Sequence, residues 1–440
     1  MKEAALSLCI LAVLLTMDRC LENLYFFFLY DTGKRTLDLF MSLYLHAHRW
    51  FVVLIPAAFI VWLVFRKFKV NYGVLLPIVI VYLCYLITTV IAGDASRWRN
   101  KTEYPMVMIL FTTMMCGDLK SARRFFRVGT DLYIVLMLLN ALFAVFPQLY
   151  GFFTDWSPEF FISADNLTGF PLFFGALLSL LDGHFNGKNW RTGLYLALFF
   201  INQVLVHCAS SLVAAVILLL YLLLPFIRHA FEKKTLMFFT GLSVAAFALI
   251  ALAAYGRFHS EMIASVVEPV FALKESIYIR FIIWNVAIAK ILRRPFLSGS
   301  AGINTEFFED PDVWIPYGGE APHWQTLLLG NGLQEDTEFF RRPETTLSYN
   351  AQNAYLQTIY EGGLLTMASI FVVLGITSRK MKQCRDQSLA GIFSVIIFSE
   401  LIMMQFSIAS WFTWYPVLLI AQIAVLTCSF DSLEAQNEES

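Results

Sequence analysis

The chain has 440 residues, of which 58% are hydrophobic and only 15% are charged. Soluble domains carry about 25% charged residues, so this composition excludes an ordinary soluble protein and indicates one that crosses a membrane many times. The formal net charge of -1 and the lack of a basic tail give no indication of nucleic-acid binding.

Apolar runs long enough to cross a bilayer recur along the chain. A hydrocarbon core of about 30 Å needs roughly 20 apolar residues per helix. On that criterion we predict an all-α fold with about twelve transmembrane helices. They lie near residues 4–24, 49–66, 72–92, 104–118, 128–150, 164–182, 192–208, 210–227, 235–255, 355–377, 388–406 and 410–428. The first run resembles a signal peptide but lacks a small-residue cleavage site, so we interpret it as a retained span.

The distribution of basic residues predicts the orientation of these spans. With the N-terminus in the cytoplasm, the inside loops and the N-terminus hold 17 basic residues and the short outside loops hold seven. Cytoplasmic loops are enriched in lysine and arginine. The sequence therefore predicts that both termini are cytoplasmic, with residues 429–440 as a short cytoplasmic tail.

One segment between spans, residues 256–354, is far longer than the others and lies outside in this orientation. A loop of that length is usually functional. Within it, residues 276–292 are apolar with a few polar interruptions, which predicts an amphipathic helix in the outer interface. We therefore divide the chain into nine spans in 1–255, this outer loop, and three spans in 355–428.

A polar stretch, Ser348–Leu365, ends the outer loop and runs directly into an apolar helix. Polar groups at the mouth of a span are costly unless they have partners or a ligand. The candidate site residues here are Gln352, Asn353, Tyr355 and Glu361. On a helix starting near Asn350, they predict a substrate-binding wall with Glu361 as a candidate base. The structural alternative is capping by Asn350 and interhelical hydrogen bonding.

Several cationic side chains are expected near the same outer face. The arginines are Arg97, Arg99, Arg280, Arg341 and Arg342. A guanidinium offers a planar fork that matches phosphate oxygens, and its alternative role is contact with lipid head groups. Because Arg280 interrupts a largely apolar helix, we favour ligand binding there. His207 is expected at the outer end of its span, facing the same cavity.

Polar residues inside the predicted spans raise a different possibility, a transporter. Transporters bind their cargo near the membrane midplane and consist of two related halves. Glu400 is the best candidate for such a site, with a hydrogen bond inside the bundle as its structural alternative. We find no related halves, and the long one-sided loop favours chemistry at the outer face.

Three blocks of the sequence form a recognisable pattern: Arg280-Phe-Ile-Ile-Trp284 leading to Pro295-Phe-Leu-Ser-Gly299, then Gln352-Asn353-Ala-Tyr355-Leu356 with Glu361-Gly-Gly363, and Ala209-Ser210-Ser211-Leu212. In their order and position, these blocks resemble the O-antigen ligase and Wzy-type polysaccharide polymerase superfamily. The resemblance covers about residues 195–375. The family's histidine is Gln352 here, which cannot act as a base near neutral pH. The family's serine–arginine pair is Ser210-Ser211.

The resemblance implies glycosyl transfer at the outer face of a bacterial plasma membrane, without a metal, nucleotide or other cofactor. The donor would be an oligosaccharide repeat unit on undecaprenyl pyrophosphate, and an acceptor sugar hydroxyl would displace the lipid pyrophosphate. The implied catalytic residues are Arg280, Gln352 and Glu361. The implied substrate-binding residues are Asn353, Tyr355, Arg97, Arg99, Arg342 and His207.

Two alternatives to a polymerase of surface polysaccharide stay open. A ligase would transfer the glycan to another acceptor, but the ligase-like histidine and serine–arginine pair are absent, which favours the polymerase. A transporter or flippase for lipid-linked sugar belongs to another class. For a polymerase, the expected partners are the lipid-linked donor, the bilayer, a flippase and a chain-length regulator.

Overall fold

The computed structural model describes residues 50, 53–65, 72–91, 95–146, 165–187, 190–206, 208–271, 275–292, 323–332, 340–341, 347–348, 351–406 and 414–439. In these ranges the protein is all-α, apart from one antiparallel pair of two-residue strands, β1 (Phe340–Arg341) and β2 (Leu347–Ser348).

The helices before the outer loop begin with α1 at Val53–Phe65. They continue with α2 Tyr72–Ile91, α3 Ala95–Met115, α4 Leu119–Val145, α5 Asp165–Phe185, α6 Trp190–Val206, α7 Ala209–Leu223, α8 Pro225–Lys233 and α9 Leu236–His259. The helices that follow are α10 Glu261–Phe271, α11 Glu275–Leu292, α12 His323–Leu329, α13 Ala354–Lys382, α14 Gln387–Met403 and α15 Tyr415–Glu439.

Within the described residues, four helical segments are long and apolar enough to cross a membrane. They are Gly73–Ile91, Leu119–Leu142, Leu236–Gly256 and Ala354–Lys382. The pair α7 and α8 would add a fifth, although the two helices bend by 100° where they meet. Shorter apolar helices accompany them, and exposed apolar side chains line one face of α2 at Leu76, Ile80, Leu83 and Ile87. The chain is therefore an all-α membrane protein.

The centre of the bundle is formed by α14 and the first part of α15. Every residue from Leu389 to Ile397 and from Trp414 to Cys428 is buried. The surrounding helices include α5, α7, α8 and α9, which pack against α14, and α3 and α13, which pack against α15. Polar side chains fix the start of several helices. The Asp118 carboxylate accepts a hydrogen bond from the Ser121 amide at 2.9 Å, and Thr235 accepts one from the Phe238 amide at 3.3 Å.

The structure corrects several sequence predictions before the outer loop. Because α3 begins at Ala95, Arg97 and Arg99 lie in its first two turns and not in a connecting loop. The predicted span 210–227 is broken at Leu224, where Pro225 starts a new helix in a different direction. The predicted first span, 4–24, lies outside the described residues.

The described part of residues 256–354, the predicted outer loop, contains more helix than the sequence indicates. A helix at Glu275–Leu292 occupies the place predicted for the amphipathic helix at 276–292. Two further helices, α10 and α12, were not predicted, and α12 falls in a stretch for which the sequence offered no regular structure. The last helix also continues through most of the predicted tail, to Glu439.

Candidate functional site

The helix α13 is interrupted by Gly363, whose backbone angles of φ 66° and ψ -174° are not helical. The interruption separates a short segment, residues 354–362, from the rest of the helix, and we call this segment the half-helix. Glycine adopts a left-handed φ without the penalty that a Cβ imposes. A break at membrane depth frees backbone carbonyls, which must find other partners.

The freed carbonyls are bound by the segment that follows α12. The Asn331 amide and side-chain Nδ2 donate to the Tyr360 carbonyl at 2.8 and 3.1 Å, and the Gly332 amide donates to the Glu361 carbonyl at 2.9 Å. Gly330 approaches so closely that a Cβ would overlap the Glu361 carbonyl. The outer loop is therefore attached directly to the helix break.

Asn353 caps the start of the half-helix. Its Oδ1 accepts hydrogen bonds from the amides of Tyr355 and Leu356 at 3.0 and 3.1 Å, and its Nδ2 donates to the Gln405 carbonyl at 2.8 Å. The sequence predicted that the helix starts near Asn350, but in the structure it begins at Ala354. Since Asn353 is fully buried and bonded within the protein, the geometry favours capping, and its contact with substrate stays a prediction.

Tyr355 anchors the half-helix in the bundle. Its hydroxyl lies 2.9 Å from Ser243 Oγ on α9. Its ring stacks on Phe247 at 5.0 Å between centroids and meets Trp414 edge-on at 5.1 Å. The side chain is 1% exposed, so it packs inside the bundle and holds the half-helix against α9. Its predicted contact with substrate is not tested by this arrangement.

The sequence predicted a helix that starts near Asn350 and includes Gln352, but in the structure Gln352 precedes the helix. Its φ of 45° is the single positive value among non-glycine residues in the described ranges. A side chain in this conformation costs on the order of 1–3 kcal/mol, and such residues concentrate at functional sites. Gln352 is half-buried, at the edge where the outer loop enters the half-helix.

Glu361 lies in the last turn before the break, held by a chain of hydrogen bonds. Gln357 Nε2 donates to Glu361 Oε1 at 2.7 Å, and the Ala351 amide donates to Gln357 Oε1 at 2.9 Å. Gln357 thus holds the Glu361 carboxylate in place, and it was not among the candidate site residues predicted from the sequence. The signal that could have identified it is the four-residue spacing between the two side chains. A carboxylate fixed in this way can accept a proton from a substrate hydroxyl.

Arg280 projects from α11, which packs against α9 and α13. Its Nε is buried without a hydrogen-bond partner, and none of the ion pairs among the described residues involves Arg280. Burial lowers the pKa of Arg280, and the nearby Cys208 sulphur raises it in part. A guanidinium nevertheless stays charged, so an anion at this place would be stabilised.

Two neighbours of Arg280 on α11 also carry buried polar atoms that have no partner in the described part of the chain. They are Trp284, through Nε1, and Asn285, through both atoms of its amide. Leaving a buried polar group without a partner costs about 1–3 kcal/mol. Four such atoms within six residues of one helix indicate a place for a polar ligand. Sequence reasoning missed Asn285, although it had noted a polar residue in the apolar helix.

The other predicted site residues are placed only in part. Arg97 and Arg99 lie in α3, which packs against α2, α4 and α15. His207 and Arg342 lie outside the described residues. Within the described ranges, no group of three histidine, cysteine or acidic side chains lies close enough together to hold a metal ion.

No protein-family model, curated protein or solved structure matches this chain. The class defined by the helices and their composition is an all-α membrane protein. The residues that bear on a more specific function lie around Arg280 and at the break in α13.

Proposed function

We propose that the protein is a membrane glycosyltransferase that polymerises lipid-linked oligosaccharide repeat units at the outer face of the bacterial plasma membrane. One observation carries the proposal: the partly buried guanidinium of Arg280 has no anionic partner among the described residues. Arg280 belongs to α11, and α11 packs against the broken helix α13. The two helices share an apolar cluster that contains Trp284 and Tyr360. Arg280 is one turn from Trp284, and Glu361 follows Tyr360.

These residues suit a donor that combines pyrophosphate with sugar. Arg280 binds the pyrophosphate and stabilises the charge that develops on it as it leaves. Trp284 Nε1 donates a hydrogen bond to a sugar hydroxyl, and the Asn285 amide donates one and accepts another. The acceptor hydroxyl attacks the anomeric carbon, the bond from that carbon to the pyrophosphate oxygen breaks, and the leaving group takes the electron pair. Glu361 accepts the hydroxyl proton, a role that Gln352 cannot perform.

The membrane topology in this proposal has about twelve spans, both termini in the cytoplasm and residues 256–354 outside. The support is the excess of basic residues in the predicted inside loops. This orientation places the half-helix and α11 at the outer end of the bundle, at the depth of a lipid-linked pyrophosphate.

A transporter for lipid-linked sugar is the second candidate function. The observations that favour it are the break at Gly363 and the 100° bend between α7 and α8, because transporters often use discontinuous helices. A ligase would share the chemistry of the polymerase and differ only in its acceptor.

The test is polymer formation by the purified protein in nanodiscs that contain lipid-linked repeat units. We expect chain growth by the wild-type protein and a fall of about 10²–10³-fold in Arg280→Gln, as for loss of a donor to a developing oxyanion. The control is Arg191→Gln, which removes an arginine already ion-paired with Asp131 at 2.6 Å. Wild-type polymerisation by Arg280→Gln would contradict the assignment. Movement of the glycolipid across vesicles without chain growth would support the transporter.

A further inference from the structure

Glu400 is a buried acid that the proposed reaction does not use. It lies in α14, is 0% exposed, and neither carboxyl oxygen has a hydrogen-bond partner in the described part of the chain. Other buried acids are bonded. Asp182 accepts a hydrogen bond from Asn186 at 2.6 Å and lies 3.9 Å from Arg127. Glu361 accepts one from Gln357.

The helix face around Glu400 is apolar. Ile396 and Ile397 lie one turn before it, and Met403 and Met404 lie one turn after it, all of them buried. The neighbouring hydroxyl, on Ser399, is directed away to the Ala214 carbonyl on α7 at 3.5 Å. The surroundings therefore offer Glu400 neither a donor nor a counter-ion among the described residues. The sequence-based alternative, a hydrogen bond inside the bundle, is absent in the same ranges.

We infer that Glu400 is a proton-binding site and is a neutral carboxylic acid in the folded protein. Transfer of an unpaired carboxylate from water to an apolar interior costs so much that the group takes up a proton instead. A metal cation would need several oxygen ligands, and among the described residues no group of three histidine, cysteine or acidic side chains could hold one. This inference does not depend on the proposed polymerase activity.

A structural role does not account for the acid. Even when Glu400 is protonated, its polar atoms stay unpaired, which costs about 1–3 kcal/mol of folding stability. An apolar residue of similar size at this position would therefore make the protein more stable. Ionisable residues inside membrane proteins usually mark ion or proton sites. The site also lies close to the half-helix. The Glu400 carbonyl accepts from the Met404 amide at 2.9 Å, and the Met404 carbonyl accepts from the Ala354 amide at 2.8 Å.

Infrared difference spectroscopy of the protein in nanodiscs, wild type against Glu400→Gln, tests this inference without any substrate. We expect the wild type to show a carbonyl band of a protonated carboxylic acid that the variant lacks, at neutral pH. The control is Asp131→Asn, which removes a carboxylate paired with Arg191 and should change only carboxylate bands. A Glu400→Gln difference confined to carboxylate bands would overturn the inference. So would loss of the acid band on addition of sodium or potassium, which would indicate a cation site.

Thermal unfolding gives a second, independent measurement. We expect Glu400→Gln to unfold near the wild-type temperature and Glu400→Leu to unfold at a higher temperature, because leucine leaves no polar atom unpaired. Strong destabilisation by Glu400→Leu, with Glu400→Gln tolerated, would reveal a polar partner and overturn the inference. Neither measurement uses polymerisation, so a failure of the proposed function leaves this result unchanged.

Discussion

Gly330 and Gly363 meet backbone to backbone, with the amide nitrogen of Gly330 lying 2.6 Å from the position that a Cβ on Gly363 would occupy. Both residues have a left-handed φ, 75° and 66° respectively. One glycine permits the helix to break, and the other permits the outer loop to reach the exposed carbonyls. The attachment of the loop to α13 therefore requires glycine on both sides.

We predict that Gly363→Ala lowers the free energy of unfolding by about 2 kcal/mol or more. A left-handed residue with a Cβ costs roughly 1–2 kcal/mol, and the new methyl group would also overlap the Leu328 carbonyl. The measurement is thermal or denaturant unfolding of the purified protein. The matched control is Gly375→Ala in the same helix, where the nearest atom is 4.0 Å away and alanine should stabilise the helix. Equal effects of the two substitutions would contradict the close approach.

Loss of the Asn353 cap should also be measurable. We predict that Asn353→Ala destabilises the protein by about 2–3 kcal/mol, because it removes a helix cap and leaves the buried Gln405 carbonyl without its donor. Thr235→Ala is the comparison, since Thr235 caps α9 through one exposed bond of 3.3 Å. When the unfolding of both variants is measured, Asn353→Ala should show the larger loss of unfolding free energy. A smaller loss there would mean that the half-helix does not depend on its cap.

The sequence determined the positions of most helices in the second half but not the internal geometry of the site. The pattern of residues 276–292 predicts the helix found at Glu275–Leu292, because an apolar run with few breakers has few other options. The start of α13 was misplaced, since the segment before it contains several residues able to cap a helix. Only the tertiary contact with Gln405 selects Asn353.

The break at Gly363 and the left-handed Gln352 were harder to foresee. Glycine inside an apolar helix is usually a packing position, and the carbonyls freed by a break need partners from elsewhere. Those partners, Asn331 and Gly332, come from a part of the outer loop that shows no periodicity. Unpaired buried atoms, such as those of Asn285, depend wholly on packing and leave no sequence pattern.

Substitution of Tyr355 separates a supporting role from a substrate contact. We predict that Tyr355→Phe lowers stability by about 1 kcal/mol through loss of the hydrogen bond to Ser243, while both ring contacts are retained. The comparison is Tyr195→Phe, which removes a 2.7 Å bond to the Leu172 carbonyl elsewhere in the bundle. If polymerisation in nanodiscs falls only in Tyr355→Phe at equal stability, the hydroxyl contacts substrate. Equal polymerisation rates in the two variants would show that the Tyr355 hydroxyl only holds the half-helix in place.

A pH-dependent contribution to stability is expected where α14 begins. The Asp386 carboxylate accepts a hydrogen bond from the Ser388 amide at 2.8 Å and lies 3.5 Å from His184 Nε2. Partial burial raises the pKa of Asp386, but the hydrogen bonds from Ser388 and the nearby His184 together lower it by more. The pKa therefore lies below the ordinary value of 3.8. A carboxyl whose pKa is lower in the folded protein than in the unfolded chain stabilises the fold at any pH above its pKa in the unfolded chain. This stabilisation is lost as the pH falls through the pKa in the folded protein.

We therefore predict that Asp386→Asn, which keeps a capping oxygen, unfolds at a lower temperature than the wild type at pH 7. The difference should shrink as the pH falls below about 4, where the wild-type carboxyl takes up its proton. Unfolding temperatures measured across this range provide the test. A difference that grows as the pH falls below about 4 would contradict the sign of the pKa shift.

The anchoring of the half-helix has a consequence for the order in which the protein is assembled. Its first residue is held by Met404 and its cap by Gln405, which emerges from the ribosome 52 residues after Asn353. Gln405 is in turn bonded to Ser243, 162 residues earlier. Contacts this distant in sequence require the closure of a long loop and therefore form slowly. The half-helix therefore reaches its final position only after α14 has entered the bundle, which makes its completion a late step in biogenesis.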